Sequence, residues 1–128
     1  MSFRKETMPD AERFTIKHHD EFERTGGWAL ARHSLGLTSF GMNVVDIEPG
    51  GSIPEHDELS RDQEEVFIVL SGSPAMVIDG EEYRAPAGTY ARLAPDLQRT
   101  VVNRGGETAR VLIISAPRTS GYEPMGWA

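Results

Sequence analysis

Two stretches of this chain hold most of the residue types that could do chemistry. The first is Gly50-Gly51-Ser52-Ile53-Pro54-Glu55-His56-Asp57-Glu58, continued by Glu65-Val66-Phe67-Ile68-Val69-Leu70-Ser71-Gly72. The second runs from Gly88 through Pro95 and Arg99 to Asn103. We read them as the two halves of one pocket. An imidazole and carboxylates can hold a metal or move protons; an arginine can pair with a carboxylate or phosphate. His56 taken alone is more often a hydrogen-bonded histidine than a ligand, so its setting has to carry any stronger reading. His18-His19, before Asp20-Glu21, looks like a metal cluster. Adjacent residues on a strand point to opposite faces, so that pair is not expected to chelate. His33 lies outside both stretches. The chain has no cysteine, which excludes thiolate chemistry, disulfides and cysteine metal sites. It shows no Ser-His-Asp order, no phosphate loop and no glycine-rich nucleotide fingerprint. Gly26-Gly27 and Gly105-Gly106 read as turns.

The elements that must position these residues are short. From Phe14 onward, apolar runs are broken by glycine, proline and Asp-Gly. Strands are expected over 14–17, 28–35, 40–48, 65–70, 74–78, 81–84, 88–93, 98–103 and 108–115. Many short strands at near-regular spacing, without a long helical period, mean a sandwich or barrel. Asp79-Gly80 supplies the positive φ of a type I′ hairpin turn. Val66 to Leu70 and Val111 to Ile114 are apolar on both faces. One face can fill a barrel; the other needs N-terminal strands or a second subunit, so a homodimer is expected.

A chain of 128 residues supplies one domain with one modest core. We divide it into a polar arm (1–13), a barrel (14–117) and a tail (118–128) that docks on the barrel or on a partner. Tyr122, Met125 and Trp127 give that tail apolar weight, and a packed terminus is the favoured reading of it. The net charge of −7, with no basic run, argues against nucleic-acid binding. No stretch approaches the ~20 apolar residues of a membrane span. Met1 to Glu6 lacks an apolar run, so no signal peptide is expected and a cytoplasmic location is.

Together the two stretches resemble the paired motifs of the cupin superfamily. The resemblance covers roughly residues 40 to 115 and implies an all-β fold, a double-stranded β-helix or jelly-roll barrel. In that family three histidines and one glutamate surround a metal. Gly50, His56, Glu65 and Gly72 fit the first motif. Glu58 stands at its second histidine place, and the loop from 59 to 64 is about two residues longer than the pattern. Gln63 and Glu64 are alternative donors from that loop. In the second motif Gly88 and Asn103 match, Arg99 stands at the histidine place, and Pro95 falls one position late. The matched positions of the family face the barrel interior. Strand parity then puts Glu65, Phe67 and Val69 inside on one strand, and Arg99, Val101 and Asn103 inside on another. Whether Tyr90 and Arg92 line the pocket is left open by parity.

The resemblance leaves three readings. In the first, His56, Glu58 and Glu65 hold a divalent metal (Mn, Fe or Zn), as in a metal-dependent dioxygenase or isomerase acting on a small acid or sugar derivative. Oxygen-rich donors suit Mn²⁺, Fe²⁺ or Mg²⁺ better than Cu(I). Arg99 opposes this, since a guanidinium is permanently charged and offers no lone pair. In the second, no metal is needed. Arg99 is the positive centre, holding Glu65 by a bidentate bond or clamping a small anionic ligand in a cavity lined by His56, Glu58, Glu65, Phe67, Arg99, Val101 and Asn103. In the third, the Arg99–Glu65 pair is structural and the protein is a structural or regulatory dimer with a closed pocket. Binding of a small anion is the favoured expectation.

Overall fold

The structure, a computed structural model, describes residues 13–128. All of the expected polar arm except Arg13 lies outside the described residues. Nine strands follow: β1 (Arg24–Thr25), β2 (Trp28–Ala29), β3 (Gly41–Ile47), β4 (Gln63–Ser71), β5 (Ala75–Ile78), β6 (Glu81–Arg84), β7 (Tyr90–Leu93), β8 (Arg99–Val102) and β9 (Ala109–Pro117). They form two antiparallel sheets, ordered β1-β2-β3-β9-β4-β7 and β6-β5-β8, in a jelly-roll barrel. The expected hairpin is present. Asp79 and Gly80 have φ of 49° and 85°, and the turn sets Ile78 opposite Glu81. At the end of β4, Gly72 has φ of 86°, and a Cβ there would meet the Ala109 Cα at 2.7 Å. Only glycine lets the chain leave β4 that close to β9.

The core lies between the sheets. Val45, Ile47, Phe67, Val69, Val111 and Ile113 from the larger sheet meet Met76 and Val101 from the smaller one. Each set follows the two-residue period of a strand. Asn103 is buried among them and ties the loops together. Its amide donates to the carbonyls of Ile47 (2.8 Å) and Glu107 (2.7 Å), and its Oδ1 accepts from the Gly105 N–H (3.0 Å).

One expected strand is absent and another is cut short. Residues 14–17 form no strand. The run 28–35 gives only β2 and then a helix, α1 (Ala31–Leu35). Alanine, arginine and leucine favour helix locally, and Gly36 ends it in the left-handed conformation at φ 73°. His18 and His19 are also not on a strand: His18 caps a short 3-10 turn over His19–Glu21. Among the described residues, no helix is long and apolar enough to cross a membrane.

The outer faces differ along the larger sheet. Over β3, α1 packs closely and Val44 is buried. Over β4 and β9, Val66, Ile68, Leu112 and Ile114 stay only half-buried. The tail starts attached, through an Arg118–Asp62 ion pair at 2.6 Å. It does not end as the packed terminus expected: Tyr122, Met125 and Trp127 are all exposed.

Asp46 anchors the outer face of β3. Arg110, directly opposite on β9, grips it with two bonds (2.8 and 3.1 Å), and Arg24 adds a third contact at 3.3 Å. The Arg110 hydrogen bond, above all, holds the Asp46 carboxyl below its ordinary 3.8. A depressed carboxylate stabilises the fold above its unfolded pKa, and that contribution disappears as pH falls through the folded value. The groups are partly exposed, so the contribution is about 1 kcal/mol. Asp46→Asn should therefore destabilise the protein at pH 6 and make little difference well below pH 3.8. Thermal melts of both proteins across that range check it; an unchanged gap at low pH would contradict the assignment.

Candidate metal and ligand site

Backbone register brings the two sequence stretches together. Residues 50–56 run antiparallel along β8. Gly50 N–H donates to the Asn103 carbonyl (2.7 Å) and Ile53 N–H to that of Val101 (3.1 Å). His56 and Arg99 exchange both backbone bonds, at 3.0 and 2.8 Å. Directly opposed residues of an antiparallel pair project to the same face. β4 brings Glu65 to them from the larger sheet, on the inward parity it shares with Phe67 and Val69. The sequence reading of both inward sets is correct: Glu65, Phe67, Val69, Arg99, Val101 and Asn103 are all buried.

His56, Glu58 and Glu65 do converge. Their donor atoms all lie within 4.8 Å of one another. His56 Nε2 is 3.3 Å from Glu58 Oε2 and 3.8 Å from Glu65 Oε1. The other ring nitrogen, Nδ1, lies 3.0 Å from the Pro54 carbonyl oxygen. A carbonyl can only accept, so Nδ1 carries the hydrogen. Nε2 therefore meets two carboxylates with either an added proton or a bare lone pair. A lone pair against two carboxylates is repulsive unless a cation lies between them. Burial, then the nearby Glu58 charge, raise the Glu65 pKa above its ordinary 4.5; Arg99 and His56 offset only part of this. Glu65 Oε1 is buried and has no hydrogen-bond partner. An imidazole nitrogen and two carboxylates, one of them with an oxygen that lacks a hydrogen-bond partner, together suit a hard or borderline divalent cation.

Arg99 takes neither role the sequence suggested for it as a ligand clamp or a bidentate partner. It is fully buried. Its guanidinium donates to the Leu97 carbonyl and to the Ala94 carbonyl (3.3 Å). Its Nε stands 3.4 Å from Glu65 Oε1, a single ion-pair contact without a completed hydrogen bond. Arg99 thus lies behind Glu65, sealed from the cavity.

The cavity measures about 230 Å³. Trp28, Phe67 and Ile113 make its apolar wall, and Asn43, Gln63 and Ser115 add neutral polar groups. Of the expected ligand residues, His56, Glu58, Glu65 and Phe67 line it; Val101 and Asn103 do not. Val101 is core, and Asn103 spends its amide on backbone groups. Of the alternative donors, Gln63 faces the cavity, while Glu64 turns outward to Arg92 at 3.1 Å. Tyr90 is exposed, so neither it nor Arg92 belongs to the site. Asn43 and Ser115 were missed, although parity reveals them. Asn43 shares a face with Val45 and Ile47, and Ser115 with Val111 and Ile113.

The sequence reading also missed Arg61. The long loop folds as a 3-10 turn over Leu59–Arg61 and places Arg61 on the cavity wall. The turn is well tied. Leu59 N–H donates to Asp57 Oδ1 (3.1 Å), Gln63 N–H to the Glu58 carbonyl (3.2 Å), and Arg118 grips Asp62. The loop's extra length was the only signal for it.

A family model described as the Cupin domain matches residues 43–115. The chain is 25% identical over 116 residues to the tetracenomycin polyketide synthase protein TcmJ of Streptomyces glaucescens, spanning 88% of this chain and 76% of that protein. A crystal structure of a cupin protein from Bacteroides fragilis has a similar fold (TM-score 0.74, 23% identity, 89% of this chain and 92% of that one). So does a sugar phosphate isomerase of the cupin superfamily from Silicibacter pomeroyi (TM-score 0.62, 27% identity, 71% and 60%).

Proposed function

This chain belongs to the cupin family, and on that premise we infer that it is a metal-dependent member acting on a small, oxygen-rich acid or sugar derivative. One observation carries the reading: the Nδ1–H of His56 is committed to the Pro54 carbonyl, which aims Nε2 at two converging carboxylates. His56, Glu58 and Glu65 would hold the cation. When bound, a divalent cation supplies a Lewis acid that polarises a substrate oxygen. The residues around it do the rest. Trp28, Phe67 and Ile113 exclude water from one side, and Asn43, Gln63 and Ser115 offer hydrogen bonds to hydroxyl or carbonyl groups. The Pro54 carbonyl fixes the imidazole plane. A cavity of 230 Å³ has room for roughly eight waters, which limits the substrate to a small molecule. The name of the Silicibacter pomeroyi relative favours isomerase over dioxygenase chemistry for the reaction. This reading replaces the metal-free one favoured by the sequence, because Arg99 cannot reach a ligand.

Elemental analysis of protein purified without an affinity tag, followed by calorimetric titration with Mn²⁺, tests the reading. About one metal per chain, or saturable Mn²⁺ binding at that ratio, is the expected result. Absence of both would overturn it.

We further propose that two copies associate through the outer face of β4 and β9. Val66, Ile68, Leu112 and Ile114 form a contiguous apolar face there, flanked by exposed Leu70 and Tyr90. Sedimentation equilibrium at micromolar concentration should give a dimer, and Ile68→Lys should give a monomer. A concentration-independent monomer in the unmodified protein would contradict this.

A further inference from the structure

We propose that Arg61 is the specificity residue of the cavity, and that it selects a substrate with a second anionic group distal to the one held at the cation. The inference rests on the metal reading above. Three observations lead to it. First, Arg61 lines the same cavity as His56, Glu58 and Glu65, and the turn that carries it is fixed at both ends by backbone bonds. Second, no carboxylate among the described residues pairs with it. The acids flanking it in the loop have other partners: Asp57 has Gln98 and the Leu59 N–H, Glu58 has His56, Asp62 has Arg118, and Glu64 has Arg92. An unpaired guanidinium on a cavity wall keeps its donors for a ligand, and its planar fork matches a carboxylate or phosphate.

Third, Arg61 is the only arginine or lysine among the described residues that lines this cavity, and it is open to solvent there, whereas Arg99 is sealed behind Glu65. A ligand with one anionic group at the cation can therefore meet a second cationic contact at Arg61 and not at Arg99. Arg61 thus supplies the cationic contact first sought in Arg99, from a loop instead of a core strand. Two anchoring points on the wall of one cavity of about 230 Å³ favour a short, bifunctional molecule such as a hydroxy dicarboxylate or a phosphorylated hydroxy acid.

Matched pairs of probes isolate the distal group. Lactate and malate share a 2-hydroxycarboxylate head that chelates a metal, and malate adds a second carboxylate. Glycerate and 3-phosphoglycerate differ in the same way by a phosphate. The full-length chain, loaded with Mn²⁺, is titrated calorimetrically with each enantiomer. Malate or 3-phosphoglycerate should bind at least about tenfold more tightly than its partner, the gain expected of one charge-assisted contact. Whichever pair shows the larger gain identifies carboxylate or phosphate as the distal group. Arg61→Gln should erase the preference, Arg61→Lys should retain part of it, and neither should change the affinity for Mn²⁺ or lactate. Equal affinities within both pairs, or a preference that survives in Arg61→Gln, would overturn the role of Arg61 alone. If the unmodified protein binds no Mn²⁺, the metal reading fails and this inference fails with it.

Discussion

Replacing Arg99 by methionine should destabilise the protein by about 3–5 kcal/mol, because it leaves the buried Glu65 carboxylate without its only permanent cation. The Ala94 and Leu97 carbonyls also lose a donor. Glu65→Gln should cost less than Arg99→Met, because it strands the guanidinium but also removes a carboxylate whose ionisation burial and Glu58 disfavour. The double variant should recover part of the combined loss, since neither charge is then left alone. Denaturant melts of the four proteins close the cycle, and the carbonyl contacts cancel in it because every Arg99→Met protein has lost them. Additivity within ~0.5 kcal/mol would show that Glu65 and Arg99 do not interact. The pH dependence has a defined sign. Glu65 has a raised pKa, so its ionisation works against the native state. Stability linked to it is fully present below 4.5 and is lost as pH rises through the folded value. Arg99→Met should steepen that loss, and Glu65→Gln should remove it.

His56→Ala should lower Mn²⁺ affinity by about a hundredfold or more. Loss of a residue that merely orients a ligand costs about 10–100-fold, and His56 is placed to be a ligand itself. The structure should tolerate the change better than loss of Arg99, because the His56 side chain is partly exposed and the His56–Arg99 backbone pair does not depend on it. Glu58→Gln should weaken binding in the same direction. Since Glu65 must give up its proton to bind, affinity should also fall as the medium is acidified below its raised pKa. Undiminished Mn²⁺ binding by His56→Ala would place the cation elsewhere and remove the main support for the proposed function.

By itself the sequence determined the barrel and much of its interior. Strand parity is strict, so Glu65, Phe67 and Val69 had to share one face, and Arg99, Val101 and Asn103 another. Asp79-Gly80 fixed its hairpin through local backbone chemistry alone. The motif frame also placed His56, Glu58 and Glu65 in one site, despite the lengthened loop between them. Local pattern failed over 28–35, where a two-residue strand gives way to helix under a competing propensity. What parity could not decide was depth. Inward-facing residues of one strand are equivalent in sequence, yet Asn103 is consumed by backbone carbonyls and Arg99 is sealed behind Glu65. Only the packing of one sheet on the other separates residues that line the cavity from residues that fill the core. The tertiary structure likewise placed Arg61, because a loop's length is legible in sequence but the direction it folds is set by the bonds at its ends, to Glu58, Pro95 and Arg118. Charge is thus written in the sequence, whereas access to it is decided by packing.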